Sequence, residues 1–303
     1  GFRRACGACV PEGRVQALHA MDGEFSDAAL LLVGHGSTLN AESARPTQVH
    51  ADALRRRGVF AQVVTAYWKE HPTLAGALRQ VFTPRVFVVP LFISEGYFTE
   101  EVIPRELGLL RPGSTSFDRT QELGGRRVHY CGPVGTHSSM TRVILSRARD
   151  VVDRHPDTGG RIPQPSEISL FIAGHGTGNN ENSRRAIEAQ VERIRSMGEY
   201  AGVHAVFMEE EPRISECHRL AETPDRVVVP FFISDGLHSF EDIPVMLGAP
   251  ESEVQARFKS GIPTWINPTR IEGGSVWYTS SIGLEPHLPD VILERIRESG
   301  GVG

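Results

Sequence analysis

LLVGHGST (Leu31–Thr38) and FIAGHGT (Phe171–Thr177) are one stretch written twice, and their reading decides the fold. In each copy a short, wholly apolar run stops at Gly-His-Gly. A continuous apolar run bounded by glycine is what a parallel strand buried on both faces requires. Working outward, VVPLFISEGY (Val88–Tyr97) answers VVPFFISDGLH (Val228–His238). The two continue into Glu101-Val-Ile-Pro104 and Glu241-Asp-Ile-Pro244. Further on, Val128-His-Tyr130, Gly135 and Val143-Ile-Leu145 match Val276-Trp-Tyr278, Gly283 and Val291-Ile-Leu293. The order is the same in both halves, at an offset of about 140 residues that rises slightly toward the C-terminus. A period of that size is a duplicated domain rather than a solenoid repeat.

Each half alternates strand and helix signals. In the second, Ile168–Ala173 reads as the first strand. Asn179 or Asn180 offers an N-cap to a helix over Arg184–Met197. Ala186, Ile187, Val191 and Ile194 fall on one face of that helix, and Gly198 ends it. His204–Met208 reads as the second strand, Pro212 as the first residue of a second helix, and Val227–Ile233 as the third strand. Val276–Ser280 is the fourth strand, and the last helix runs from about Pro289 to Glu298. Four strands with helices between them predict a doubly wound parallel sheet. The expectation is an α/β protein of two tandem lobes. An N-terminal extension covers residues 1–24, a first lobe 25–156 and a second lobe 165–303, with a Gly- and Pro-rich linker at Asp157–Pro165.

The 303 residues suit two domains. Hydrophobic content of 40% and charged content of 23% are those of a globular chain whose halves each bury a core. Lys and Arg number 32 against 37 Asp and Glu, a net charge of −5, without the basic face of a nucleic-acid binder. No apolar run is long enough to span a bilayer, and Gly1–Val10 lacks the apolar core of a signal peptide. A cytoplasmic protein with no nucleic-acid or membrane partner is expected, trimmed at its start because it opens on Gly rather than Met. Cys6, Cys9, Cys131 and Cys217 are too few and too scattered for a disulfide scaffold. Cys6 and Cys9 form a CxxC, but a structural zinc or iron–sulfur site needs about four ligands. With only His19 as a remote third, the pair is read as unpartnered. Cys131 and Cys217 read as buried thiols.

Open parallel sheets bind ligands beyond the carboxyl ends of their strands. Three ligand-type side chains fall there in the second half: His175, Glu209 and His238, after the first, second and third strands. Singly, each has a plainer reading. A histidine after a strand is a polar loop residue, and a glutamate in Glu209-Glu210-Glu211 is solvated or first-turn helix charge. Together, at three adjacent strand ends, they form a candidate site for a divalent first-row metal. Two imidazoles and one carboxylate leave positions open for the metal to arrive and depart. Gly174 and Gly176 around His175, and Gly34 and Gly36 around His35, let a ligand approach the backbone. No GxxxxGK[ST] loop is present, so ATP is not expected. No GxSxG elbow is present either, so a serine hydrolase is not expected. Ser37 is read as a helix cap.

Gly-His175-Gly-Thr, then Phe-Met-Glu209 ahead of Pro212, then VVPFFISDGLH ending at His238, then Asp242-Ile-Pro244 form a specific combination. It resembles the sirohydrochlorin chelatases, which are class II tetrapyrrole chelatases, over roughly Ala29 to Glu298. The resemblance implies two flavodoxin-like lobes facing across a cleft. It implies ATP-independent insertion of Co2+, Fe2+ or Ni2+ into sirohydrochlorin or a related carboxylated tetrapyrrole, toward cobalamin or siroheme. It carries metal binding and catalysis onto His175, Glu209 and His238. Short members pair as homodimers, so a fused chain implies a working monomer.

The first half departs from this pattern. His35 is kept, but Trp68 or Lys69 stands at the glutamate position and Tyr97 at the second histidine position. A lysine repels a cation, and tyrosine is a poor metal ligand at neutral pH. The first lobe is therefore read as having lost its metal site while keeping one wall of the cleft, with His35 against the substrate. Arg184, Arg185 and Arg213 are candidates for the macrocycle's acidic side chains, beside the plainer reading of helix-surface charge. Helix N-termini after the strands offer further anion binding. The histidine pair would bind the metal and, once it leaves, accept pyrrole protons, with Glu209 offsetting charge. Two other readings stay open: a carrier of metal or tetrapyrrole that does not speed insertion, and a chelatase fold put to structural or regulatory use. Also open are which of Glu209, Glu210 and Glu211 faces the site, and the role of the insertion between Gly248 and Gly273.

Overall fold

Strand β1 (Phe25–Gly34) is buried along nearly its whole length, and β6 (Ile168–Gly174) along all of it. Each is the centre of a five-stranded sheet in the computed structural model, which describes residues 23–38, 40–176 and 181–300. Cys6, Cys9, His19, Thr177 and the expected Asn179/Asn180 cap lie outside the described residues. In the first half β2 (Phe60–Tyr67), β3 (Arg85–Pro90), β4 (Thr120–Leu123) and β5 (Arg126–Tyr130) join β1 in the order β2-β1-β3-β5-β4. In the second half β7 (Gly202–Phe207), β8 (Asp225–Pro230), β9 (Thr269–Ile271) and β10 (Gly274–Tyr278) repeat it as β7-β6-β8-β10-β9. The four expected strands are parallel, as buried apolar runs require, and an antiparallel edge strand is added to each sheet. Sequence patterning does not show β4 and β9, because both are short and neither is buried. Their hairpins close through Gly124-Gly125 and Glu272-Gly273, all at positive φ, the backbone a tight two-residue turn demands.

The first half also carries α1 (Arg45–Arg57), α2 (Ile103–Glu106) and α3 (Met140–Arg154). The second carries α4 (Glu181–Met197), α5 (Cys217–Leu220), α6 (Ile243–Met246), α7 (Glu251–Lys259) and α8 (Leu288–Glu298). Helix α4 opens at Glu181 rather than Arg184 and stops where Gly198 takes φ +69° and donates to the Arg195 carbonyl at 3.1 Å. Two expectations are corrected. Pro212 does not open a helix: its carbonyl accepts from Phe207 N at 2.9 Å, and a 3-10 turn at Ile214–Glu216 begins beyond it, capped at Arg213. The third strand stops at Pro230, not Ile233. Phe231 keeps one bond to the sheet, N to Ala173 O at 2.7 Å, and the chain then turns away.

The helices are exchanged between the halves. Helix α1 packs on β1 and β2, and α4 on β6 and β7, but α3 packs on β8 and β10 of the second sheet. Reciprocally, α8 packs on β3 of the first sheet and on α1. Each sheet is thus covered on its inner face by its own first helix and the other half's last. One continuous core results, containing Phe87, Ile144, Val229, Trp277 and Ile292. Trp277 Nε1 donates to His155 O at 2.7 Å, and His50 Nε2 to Gly283 O at 2.7 Å, closing the seam with polar bonds. Two smaller cores lie on the outer faces, under α2 in one half and under α5 and α6 in the other. Cys131 and Cys217 are free and buried, as expected. No described helix is long and apolar enough to cross a membrane. Between Gly248 and Gly273, β9 has its counterpart in β4, so the element added in the second half is α7, which rests against α6 and the turn that precedes it.

Candidate functional site

The Gly-His-Gly sequence has a separate reason for each residue. A Cβ on Gly174 would lie 2.1 Å from Ile187 Cδ1, so this glycine lets α4 close onto β6. Gly176 holds φ +69°, and a Cβ there would meet Phe207 Cβ at 2.9 Å. Between them the His175 carbonyl accepts from Met208 N at 3.1 Å and Glu209 N at 3.0 Å, clasping the end of β7 to the end of β6. The His175 ring places Nδ1 3.1 Å from Gly176 O and 3.8 Å from Glu209 Oε2. A proton donated from Nδ1 to the carbonyl leaves the Nε2 lone pair for a ligand.

His238 stands on a π-helical turn, His238–Asp242, that runs into α6. The turn is fixed from below by the Ser239 hydroxyl, which bonds Gly236 N at 2.9 Å, and by Tyr278 OH, which donates to Ser239 O at 2.8 Å. Burial pushes the Tyr278 phenol well above its usual range, so it remains a donor. The His175 and His238 rings meet edge to face, centroids 5.0 Å apart at 79°. His238 Nδ1 lies 2.6 Å from Asp242 Oδ2. Sequence reading passed over Asp242 except as a motif letter, although a carboxylate four residues after a histidine on a helix is a visible signal.

The structure brings the two imidazoles together and sets Glu209 at the edge of the pair. Glu209 is exposed, and the three groups do not converge as a ready-made ligand set; no cluster of three His, Cys, Asp or Glu with metal-binding geometry occurs among the described residues. The three glutamates differ in their partners, and none of them lines the cavity onto which the histidines open. Glu210 holds Arg184 at 2.7 Å, and Glu211 lies 3.4 Å from Arg213, which leaves Glu209 beside His175. Those pairings also place the expected anion-binding arginines. Arg184 lies over the Phe207 ring and donates to Glu188, Glu210 and the Glu211 carbonyl. Arg213 donates to Met208 O at 2.8 Å, and Arg185 pairs with Glu181. None of the three lines the cavity onto which the histidines open.

That cavity, about 770 Å3, lies between the lobes. His175, His238 and Asp235 line it from one side, and His35, Phe92 and Phe98 from the other. His35 keeps the geometry of His175: Nδ1 is 2.8 Å from Gly36 O, and its carbonyl accepts from Trp68 N and Lys69 N. This register puts Lys69 at the place of Glu209. It also corrects the second histidine's counterpart. Thr99 bonds Gly96 as Ser239 bonds Gly236, so Phe98, not Tyr97, occupies the place of His238. The ungapped spacing from Gly96 to Pro104 and from Gly236 to Pro244 contained that alignment. Phe98 packs edge to face on His35 at 5.1 Å and on Trp68 at 4.8 Å, while Lys69 Nζ sits 4.5 Å over the Trp68 ring. Where the second lobe presents His238 to the cavity the first presents Phe98, while Phe92 and Phe232, and Glu95 and Asp235, line it in matching places from the two sides. Ser37 does not cap a helix directly. It accepts from Asn40 N at 3.2 Å, and Asn40 caps the 3-10 turn Ala41–Ser43.

The family model for CbiX matches the chain twice, over residues 29–151 and 169–299. A protein of Halobacterium salinarum named probable sirohydrochlorin cobaltochelatase is 43% identical over 282 residues, 90% of this chain and 91% of that one. A crystal structure from Deinococcus radiodurans, described as a multi-domain protein with structural similarity to chelatases and two additional novel domains, superposes with TM-score 0.70 at 32% identity. The match covers 91% of this chain, which spans only 56% of that larger one. SirB from Bacillus subtilis, solved with Fe3+, shares the fold at TM-score 0.62 and 18% identity, over 90% of this chain and 95% of its own.

Proposed function

The chain belongs to the CbiX family through both of its halves and is a chelatase of the sirohydrochlorin type; from that premise we propose how it inserts a divalent metal into a carboxylated tetrapyrrole. The observation that carries the proposal is the His175–His238 pair, 5.0 Å apart and facing a cavity walled by both lobes. The metal, Co2+, Fe2+ or Ni2+, is substrate and must be held weakly enough to leave. Two neutral imidazoles do this without a closed ligand set. Glu209, beside His175, offsets the cation's charge as it arrives. Insertion displaces two pyrrole N–H protons, and the imidazoles, freed of metal, are the bases placed to accept them. No step needs ATP.

The two walls divide the work. The imidazole wall presents the metal, and the aromatic wall built on Phe98, His35 and Phe92 offers a flat macrocycle a stacking surface. Lys69 at the rim of that wall repels a cation and attracts a substrate carboxylate. Duplication supplies both walls in one chain, which therefore works as a monomer.

The test is anaerobic metal insertion into sirohydrochlorin, followed by absorbance with Co2+, Fe2+ and Ni2+ in turn. His175→Ala and His238→Ala should each slow insertion by at least ~100-fold, the scale expected when a positioned ligand and base is removed. Wild-type rates in both variants would sink the assignment. Metal and macrocycle binding by the native chain with no acceleration over the spontaneous reaction would identify a carrier instead.

A further inference from the structure

Asp242 is absorbed by neither the fold nor the mechanism above. Its Oδ2 lies 2.6 Å from His238 Nδ1, one turn away on the same π-helical element. Helix α6 begins at the next residue, yet the Asp242 side chain makes no capping bond to it. The first half contains the control. The π-helical turn Phe98–Val102 runs into α2 as His238–Asp242 runs into α6, with Ile-Pro following in both. Thr99 and Ser239, and Glu101 and Glu241, are alike in the two copies. In the copy that carries Phe98 in place of the histidine, the aspartate is replaced by an apolar residue, Val102, which is 1% exposed, and Tyr97/Leu237 and Glu100/Phe240 differ as well. A turn that forms with valine does not need the carboxylate. The contact that the carboxylate does make is with the imidazole.

We infer that Asp242 is the positioning residue of His238, holding the ring through Nδ1–H so that Nε2 is presented to the incoming metal. The inference rests on the reading of His238 as a metal ligand. A carboxylate behind a ligating histidine fixes both the tautomer and the ring orientation and raises the ligand's basicity. Both side chains are about half exposed, so the pair contributes little to folding, and a change at Asp242 reads out the site and not the fold.

The experiment titrates the full-length chain with Co2+ in the absence of tetrapyrrole, by calorimetry and by the visible absorption of bound Co2+. Asp242→Ala should weaken Co2+ binding by roughly 10–100-fold, the range for loss of such a partner, with the thermal midpoint within ~2 °C of native. Asp242→Asn, whose amide oxygen still accepts from Nδ1–H, should recover most of the loss. Imidazole 15N shifts of His238 without metal should report Nδ1–H in the native chain and a mixture of tautomers in Asp242→Ala. Native Co2+ affinity and an unchanged tautomer in Asp242→Ala, with binding lost in His238→Ala, would overturn this inference and leave the proposed function standing. Native Co2+ affinity in His238→Ala would overturn both.

Discussion

At the scale of single residues, the glycines around His175 separate two effects that are usually confounded. Gly176 and Gly198 both hold φ +69°. A side chain on Gly198 meets nothing within 4 Å, whereas one on Gly176 meets Phe207 Cβ at 2.9 Å. Gly198→Ala should therefore cost about 1 kcal/mol, the penalty of left-handed backbone alone. Gly176→Ala should cost about 2–4 kcal/mol, because overpacking against β7 is added to the same strain. Chemical denaturation of the two variants measures the difference, and equal losses would show that the Phe207 contact is relieved without cost. The Gly-His-Gly pattern was legible because glycine beside a functional residue has few explanations. Asp242 and Phe98 were harder to find. Each acquires meaning only through a partner, His238 in one case and the lobe-to-lobe register in the other, and a linear reading placed that register one residue off.

At the scale of elements, the parallel strands were legible for the reason they form: runs such as Ile168–Gly174 are apolar on both faces because both faces are covered. Helix α3 shows what such reading misses. Its apolar face, with Val143, Ile144 and Ala148, has ordinary amphipathic spacing, which says that the face is buried but not against which sheet. The structure places it on β8 and β10, across the linker from its own lobe. Ile144 is fully buried there in the shared core. Ile144→Ala should destabilise the protein by about 2–5 kcal/mol. The loss should appear in one cooperative transition reported alike by Trp68 in the first half and Trp277 in the second. Two separate transitions, with only one moved, would show that the halves fold independently despite the exchange. The short edge strands and α7 escaped the sequence reading because they bury little and carry no strong period; the strands depend on their hairpin turns and the sheet they join, and α7 on α6 and the turn before it.

At the scale of the whole molecule, the site exists only if the two lobes stay docked, since its cavity is walled by both. The docking surface contains histidines that the fold keeps neutral. His50, on α1, is 1% exposed and donates Nε2–H to Gly283 O of the other half. Burial, the largest influence, pulls its pKa below the usual 6.5; the Gly283 bond opposes the shift and Arg57 adds to it. His137, beside Glu298 at 2.9 Å and accepting at its carbonyl from Gln190, is lowered by burial as well. A depressed imidazole pKa means that below pH ~6.5 the unfolded chain takes up protons the folded chain refuses. The stability from His50 is therefore fully present above pH ~6.5. It is lost as pH falls toward the lowered folded value, with a limiting slope of about 1.4 kcal/mol per pH unit. Thermal unfolding should accordingly be unchanged between pH 8 and 7 and fall between pH 6.5 and 5. His129 and His218 are lowered too, so the informative quantity is the difference made by one residue. His50→Gln keeps a donor for Gly283 O but removes the titration, and its midpoint should fall less steeply over that acid interval. An equal acid loss in native protein and variant would mean that protonation of His50 contributes nothing to the acid loss. A smaller loss in the variant would tie the acid stability of the fold that holds the two lobes together to the neutral state of an imidazole buried between them.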